Sequence, residues 1–166
     1  MSSVRRRARG TDDLRRRRGV VGLSLVGAVN MTLIALRQLG VIRHLPDPPL
    51  PGFDADRVTT SRAAYPLGVP DAPLAVAGLA LNVLLARAGG GDDRAARAPW
   101  LPVVAAVHAG SQATAAAVYF TLMPTKIKAW CAYCLLGAAV NAAVFALTLA
   151  EARQGFSILA LRGRTG

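Results

Sequence analysis

Four long apolar runs constrain this chain more than any other feature. They occupy residues 19–39, 70–86, 100–122 and 129–150. About 20 helical residues are needed to cross some 30 Å of hydrocarbon, and each run nears or exceeds that length, the second being the shortest. In lipid only α-helices and closed barrels satisfy their own backbone groups, and continuous rather than alternating apolar character is the helical pattern. The runs are dense in small residues, as in AGLA, AAVHAGSQATAAA and GAAVNAA, and small residues let helix axes approach closely. The expected fold is all-α, an integral membrane four-helix bundle.

Composition narrows the class further. At 166 residues the chain has the length of one domain, 53% of it is apolar and only 17% is charged. A disordered basic tail is excluded by that apolar content, and a disulfide-rich secreted module by a count of two cysteines. The formal charge of +11 would suit a nucleic-acid binder, but such proteins are far more polar, so no nucleic acid is expected as a partner. The distribution of the charge has a simpler meaning. Eight arginines lie in residues 1–18, three more are Arg87, Arg94 and Arg97, and Arg153, Arg162 and Arg164 follow the last run. The other side receives only Arg43, Arg57, Arg62, Lys126 and Lys128, with Arg37 near the outer end of the first run, where it can snorkel. The positive-inside rule then puts both termini in the cytoplasm.

The expected organisation is a basic cytoplasmic arm over residues 1–18, a four-span membrane domain over 19–150 and a cytoplasmic tail over 151–166. The first run exceeds the 7–15 apolar residues of a signal peptide and no small-residue cleavage site follows it, so it reads as a span. SILALR in the tail is too short to cross and suits the membrane surface. Heavy use of Ala, Arg and Gly suggests a GC-rich bacterial genome, which makes the expected location a bacterial inner membrane, with several passes.

Both cysteines, Cys131 and Cys134, fall in KIKAWCAYCLLGAAVN at the extracytoplasmic start of the fourth run. Their i, i+3 spacing puts both sulfurs on one helical face, near enough to bridge. A helix N-terminus stabilises a thiolate, and Lys126 and Lys128 add positive charge beside it. The pair faces the oxidising side of the membrane, where a disulfide can persist. Two alternatives stand beside a redox role. The cysteines can pack as small apolar residues, or they can bind zinc, for which only His44 and His108 are available as further ligands. The zinc set is poor, so no metal site is expected. His108, in mid-run, reads as an internally hydrogen-bonded packing residue.

Three segments together resemble the vitamin K epoxide reductase family, in its bacterial quinone-linked disulfide-forming branch. WCAYCLLGAAVN is similar to that family's active-site CxxC followed by small residues and a polar one. RVTTSRAAYPLGVPDAPLAVAG is similar to its passage from outer loop to second span, with a Ser-Arg pair and then Gly-Val-Pro. A long first outer loop and a CxxC after the third span complete the match, over about residues 18–150. The resemblance implies that Cys131 exchanges with a partner thiol and that Cys134 faces the quinone. It also implies that Ser61 and Asn141 lie at the quinone site. Members of the family usually carry a second cysteine pair in the first outer loop. Here that loop has none, and the nearer of the two would align with Ala55.

The expected activity is that of a membrane thiol–disulfide oxidoreductase passing electrons between an extracytoplasmic thioredoxin-like protein and a membrane quinone, menaquinone or ubiquinone. The alternative is a non-catalytic or accessory membrane protein that kept the fold without the shuttle cysteines. Single residues have plainer readings too: Arg62 as a headgroup-facing charge, Asn141 as an interhelical hydrogen bond, and Trp130 and Tyr133 as members of an interfacial belt. Asn30 and Asn82 fit either helix contacts or pocket donors. A channel or transporter has little support, because only Arg37 and His108 are ionisable candidates within the runs.

Overall fold

The computed structural model describes residues 3–91 and 94–164. The extremities of the basic arm and of the tail, and Asp92 and Asp93 in the Gly-rich turn, lie outside the described residues. Four long helices make the body: α1 (Ser3–Gln38), α3 (Asp71–Arg87), α5 (Trp100–Leu122) and α6 (Ala132–Arg162). Two short helices, α2 (Ala55–Thr59) and α4 (Arg94–Arg97), sit in the connections. No strand occurs among the described residues, so the all-α expectation holds.

Helices α1, α5 and α6 are long and apolar enough to cross a membrane, α5 being extended by a π-helical turn at Met123–Ile127. Helix α3 has 17 residues, about 25 Å at 1.5 Å per residue. The outward faces are apolar. Leu25, Val26 and Val29 of α1, Leu74, Leu81 and Leu84 of α3, Val107 and Val118 of α5, and Phe156 of α6 are all exposed. A water-soluble bundle would put polar residues there, whereas hydrocarbon is a suitable solvent for this surface. Inside, Val20, Leu79, Ala86, Ala109, Val140 and Val144 form a core at mid-bundle. Close approach depends on glycine at specific points. A Cβ on Gly27 would meet Val140 at 3.0 Å and Leu79 at 3.2 Å, and one on Gly155 would lie 2.4 Å from the backbone oxygen of Pro99.

Two helices extend beyond the apolar runs. Helix α1 runs without a break through the basic arm from Ser3, and α6 continues from the fourth apolar run through SILALR to Arg162. The described part of the tail up to Arg162 therefore continues the last helix. Just beyond the apolar runs the two helices join in a buried ionic cluster. Arg94 and Glu151 form a two-pronged pair, Nε to Oε1 at 2.9 Å and Nη2 to Oε2 at 2.7 Å, and both side chains are buried. The same arginine donates to the carbonyls of Leu85 at 2.5 Å and Ala88 at 3.3 Å at the end of α3. Arg17 of α1 reaches Glu151 at 3.7 Å and donates to the carbonyls of Gly90 and Gly91 at 2.9 and 2.6 Å. Asp13 accepts from Gln154 at 3.4 Å, which ties α1 directly to α6.

Arg17, Arg94, Glu151 and Asp13 thus add buried ionisable groups to the two candidates read from the apolar runs. Their burial is tolerable because each charge has an opposite charge or several hydrogen-bond partners. Glu151→Ala should leave Arg94 and Arg17 buried without their anion and destabilise the protein by about 3–5 kcal/mol. Thermal or denaturant unfolding of the detergent-purified chain measures this. The Arg94→Met/Glu151→Met double variant should lose much less than the two single variants summed.

Candidate functional site

The end of the bundle opposite the ionic cluster carries the cysteines. Lys128 takes the left-handed conformation, with φ 56°, and turns the chain out of the π-helical turn. Trp130 then runs parallel to the outer loop in a single bridge with Phe53, its N–H donating to the Gly52 carbonyl at 2.8 Å and its carbonyl accepting from the Asp54 N–H at 2.9 Å. The next residue, Cys131, is the N-cap of α6 in an extended conformation. It stands just outside the helix and not on its face, a correction to the picture of both sulfurs along one helical surface. The cap position still brings the pair together. Cys131 and Cys134 are joined as a disulfide with Cα atoms 5.2 Å apart, and the Cys134 N–H donates to the Cys131 sulfur at 3.1 Å. Sulfur here takes the place of the side-chain oxygen that usually accepts from the free N–H groups of a helix start.

The two sulfurs face different surroundings. Cys131 is wholly buried, in a cluster with Leu45, Ala55, Val58, Met123 and Ala129. Ala55, the residue aligned with the missing loop cysteine, is equally buried there. Cys134 is only half-buried and lines a cavity of about 370 Å³ between the four long helices. Its walls include Met31, Ile34, Ala75, Ala115 and Ala138, with Gln38, Asp71, Gln112, Tyr119 and Asn141 as polar members. Volume and lining suit a ring-sized apolar ligand held by a few polar groups. A larger open groove of about 770 Å³ along α5 and α6 includes neither cysteine and belongs to the outer apolar face.

Asn141 and Ser61 part company here. Asn141 lines the cavity with Cys134, donates from Nδ2 to the Gly137 carbonyl at 2.9 Å, and leaves its Oδ1 buried without a partner. Ser61 lies in the turn after α2, outside the cavity lining, with its Oγ buried and unpartnered. Asn30 donates to the Tyr133 carbonyl at 2.9 Å and so holds the first turn of α6 against α1. Asn82 is buried near the ionic cluster, away from the cysteines. The His108 Nε2 lies 3.0 Å from the Gly78 carbonyl, an interhelical contact in keeping with a packing residue.

Four cavity residues had no motif to mark them: Gln38, Asp71, Gln112 and Tyr119. Gln38 joins three elements, donating to Asp71 Oδ1 at 2.7 Å and to the Thr59 carbonyl at 3.2 Å while accepting from the Ala72 N–H at 3.1 Å. Tyr119 donates to the Ala63 carbonyl at 2.6 Å. The only available signal was a charged residue, Asp71, directly after Gly-Val-Pro at the head of an apolar run.

The outer loop is a folded cover. Asp56 of α2 accepts from Arg37 Nε at 2.5 Å, from His44 Nδ1 and from the Leu45 N–H at 3.3 Å. Arg37 is thus paired with a loop carboxylate rather than snorkelling. Burial alone would raise the Asp56 carboxyl, but the hydrogen bonds from Arg37, His44 and Leu45 and the charge of Arg37 outweigh it and hold it below its usual value of 3.8.

Three membrane-crossing helices around a disulfide at a helix start, with one sulfur open to an apolar cavity, define a membrane redox protein. The chain matches the model of the vitamin K epoxide reductase family over residues 19–149 and belongs to that family. Membership makes it a multi-pass membrane oxidoreductase. No individually curated protein matches the chain.

A depressed Asp56 carboxyl stabilises the folded cover above its unfolded value and ceases to do so as pH falls through the lower folded one. The cover should therefore hold from neutral pH down to about 4 and loosen below that. Asp56→Asn should loosen it at pH 7. The rate at which a water-soluble phosphine reduces the Cys131–Cys134 disulfide reads the difference, and an unchanged rate would show that the Asp56 contacts do not restrain the loop.

Proposed function

We propose that the protein is a quinone-coupled thiol–disulfide oxidoreductase working through Cys131 and Cys134. The observation that carries this reading is the split environment of one disulfide: Cys134 opens on an apolar cavity in the bundle, and Cys131 lies under the outer loop. In the reduced state the two thiols give up two electrons and two protons as they close to the disulfide. A membrane quinone, menaquinone or ubiquinone, supplies the matching acceptor when bound.

Cys134 is the sulfur in contact with that site. Asn141 offers a buried oxygen without a partner, which suits a hydroxyl donor such as the reduced ring carries. Asp71 and Tyr119 complete the polar edge of the same cavity. On the other side, a thiolate from an extracytoplasmic thioredoxin-like protein attacks Cys131, and the partner leaves as a disulfide while the chain regains its dithiol. Because Cys131 is wholly buried and no loop cysteine relays the exchange, the cover formed by residues 39–70 has to move for that attack.

In this reading α3 is the fourth span. Its exposed Leu74, Leu81 and Leu84 face lipid, and 17 residues lie at the lower limit for crossing. The arginine-rich end is cytoplasmic, as are both termini, in a bacterial inner membrane. A second reading, an accessory protein with a structural disulfide, is favoured by the sealed Cys131 and the alanine at position 55.

Cys134→Ala should abolish reduction of a soluble quinone by dithiol in the purified protein, and full activity would overturn the proposal. Asn141→Leu should lower kcat/KM for the quinone about tenfold, equivalent to one lost hydrogen bond of about 1.4 kcal/mol. Thiol trapping in intact cells separates the two readings. A Cys131–Cys134 pair whose oxidation follows the quinone pool supports catalysis, and a pair oxidised whatever the pool's state supports the accessory role.

A further inference from the structure

Beside the ionic cluster, and away from the cysteines, a groove of about 380 Å³ runs between the start of the apolar part of α1 and the end of α3. Leu14, Val21 and Ala86 give it an apolar floor, and Arg17, Arg18 and Arg87 line it as well. The three arginines differ in their commitments. Arg17 is buried and bound to Gly90, Gly91 and Glu151. Arg18 and Arg87 are exposed and have no acid or carbonyl partner among the described residues.

Their depth is informative. Arg18 is the last charge before the first apolar run, and Arg87 is the first charge after the second. Helices α1 and α3 are antiparallel, since Gln38 meets Asp71 at one end and Arg17 meets Gly90 at the other. Both guanidinium groups therefore stand at one and the same boundary of the apolar belt. There a lipid phosphate lies level with the arginines and its acyl chains continue over the apolar floor. A free anion would use the charge and leave the floor wet.

We propose that this groove is a binding site for the phosphate group of an anionic phospholipid, held between Arg18 and Arg87. A guanidinium presents paired N–H donors that match two phosphate oxygens, and two of them at the hydrocarbon boundary favour an anionic over a zwitterionic headgroup. The site depends on the membrane reading of the helices and is independent of the redox reading, so its failure leaves the redox reading untouched.

The test uses the full chain in mild detergent, with thermal unfolding followed as short-chain phosphatidylglycerol, short-chain phosphatidylcholine or inorganic phosphate is added. Phosphatidylglycerol should raise Tm in a saturable way, and the other two should not. Arg18→Gln/Arg87→Gln should keep the lipid-free Tm, because neither residue holds the fold together, and lose the phosphatidylglycerol shift. Each single variant should bind about fivefold more weakly, the effect of one basic residue at an anionic surface. Arg15→Gln/Arg153→Gln removes the same charge from other exposed positions and should keep the shift. An equal shift with phosphatidylcholine, or with inorganic phosphate alone, would overturn the proposal. So would a shift that survives in Arg18→Gln/Arg87→Gln or disappears in both double variants. If the groove double variant does not purify folded, the two single variants carry the same comparison.

Discussion

The exchange of backbone hydrogen bonds between Trp130 and residues 52–54 is the contact on which the redox end of the molecule depends. It fixes the strand of chain entering α6, and so puts Cys131 at the helix cap with its sulfur within reach of the Cys134 N–H. It also anchors the outer loop, which carries Leu45, Ala55 and Val58 over the sulfur. Without this pairing the loop would be a long polar connection between two spans. With it, backbone groups that would otherwise meet the membrane boundary unpaired are satisfied.

The opposite end is held by a different kind of force. Glu151 of α6 gathers Arg94 and Arg17, and through their remaining donors α1, the end of α3 and the turn at Gly90. Such a cluster adds little net stability relative to a well-packed apolar one, because desolvation offsets most of its Coulomb energy. What it supplies is alignment, since guanidinium and carboxylate planes meet well in few arrangements. Apolar helices with small-residue faces can otherwise slide past one another at little cost. Mid-bundle, Gly27 packs tightly against Val140 and Leu79, and near the ionic end Gly155 meets the Pro99 backbone too closely for a side chain.

The division between the two cysteines follows from these constraints together. A CxxC at a helix start has one sulfur outside the first turn and one within it. Whatever covers the helix end therefore covers the first, and whatever lies beside the bundle meets the second. Here the cover is the loop and the side space is a cavity with Asn141, Asp71 and Tyr119 on its edge. Ala55, in that cover, is itself fully buried.

By itself the sequence determined the helical class, the third run's limits at 100–122 and, through the CxxC, which two residues lie close enough to bridge. Apolar runs and paired thiols are local patterns, and lipid leaves few alternatives for the backbone. Tertiary structure alone decided that Asp13, Arg17 and Glu151 sit buried within continuous helices, because they meet partners 57 to 141 residues away. It also decided that Arg37 pairs with Asp56, that Asn141 lines the cavity while Ser61 does not, and that Gln38, Asp71 and Tyr119 do. Each of these depends on which face of a nearly uniform apolar helix turns inward. With hydrocarbon outside and apolar side chains within, hydrophobic pattern cannot specify that face, and close packing and buried hydrogen bonds do.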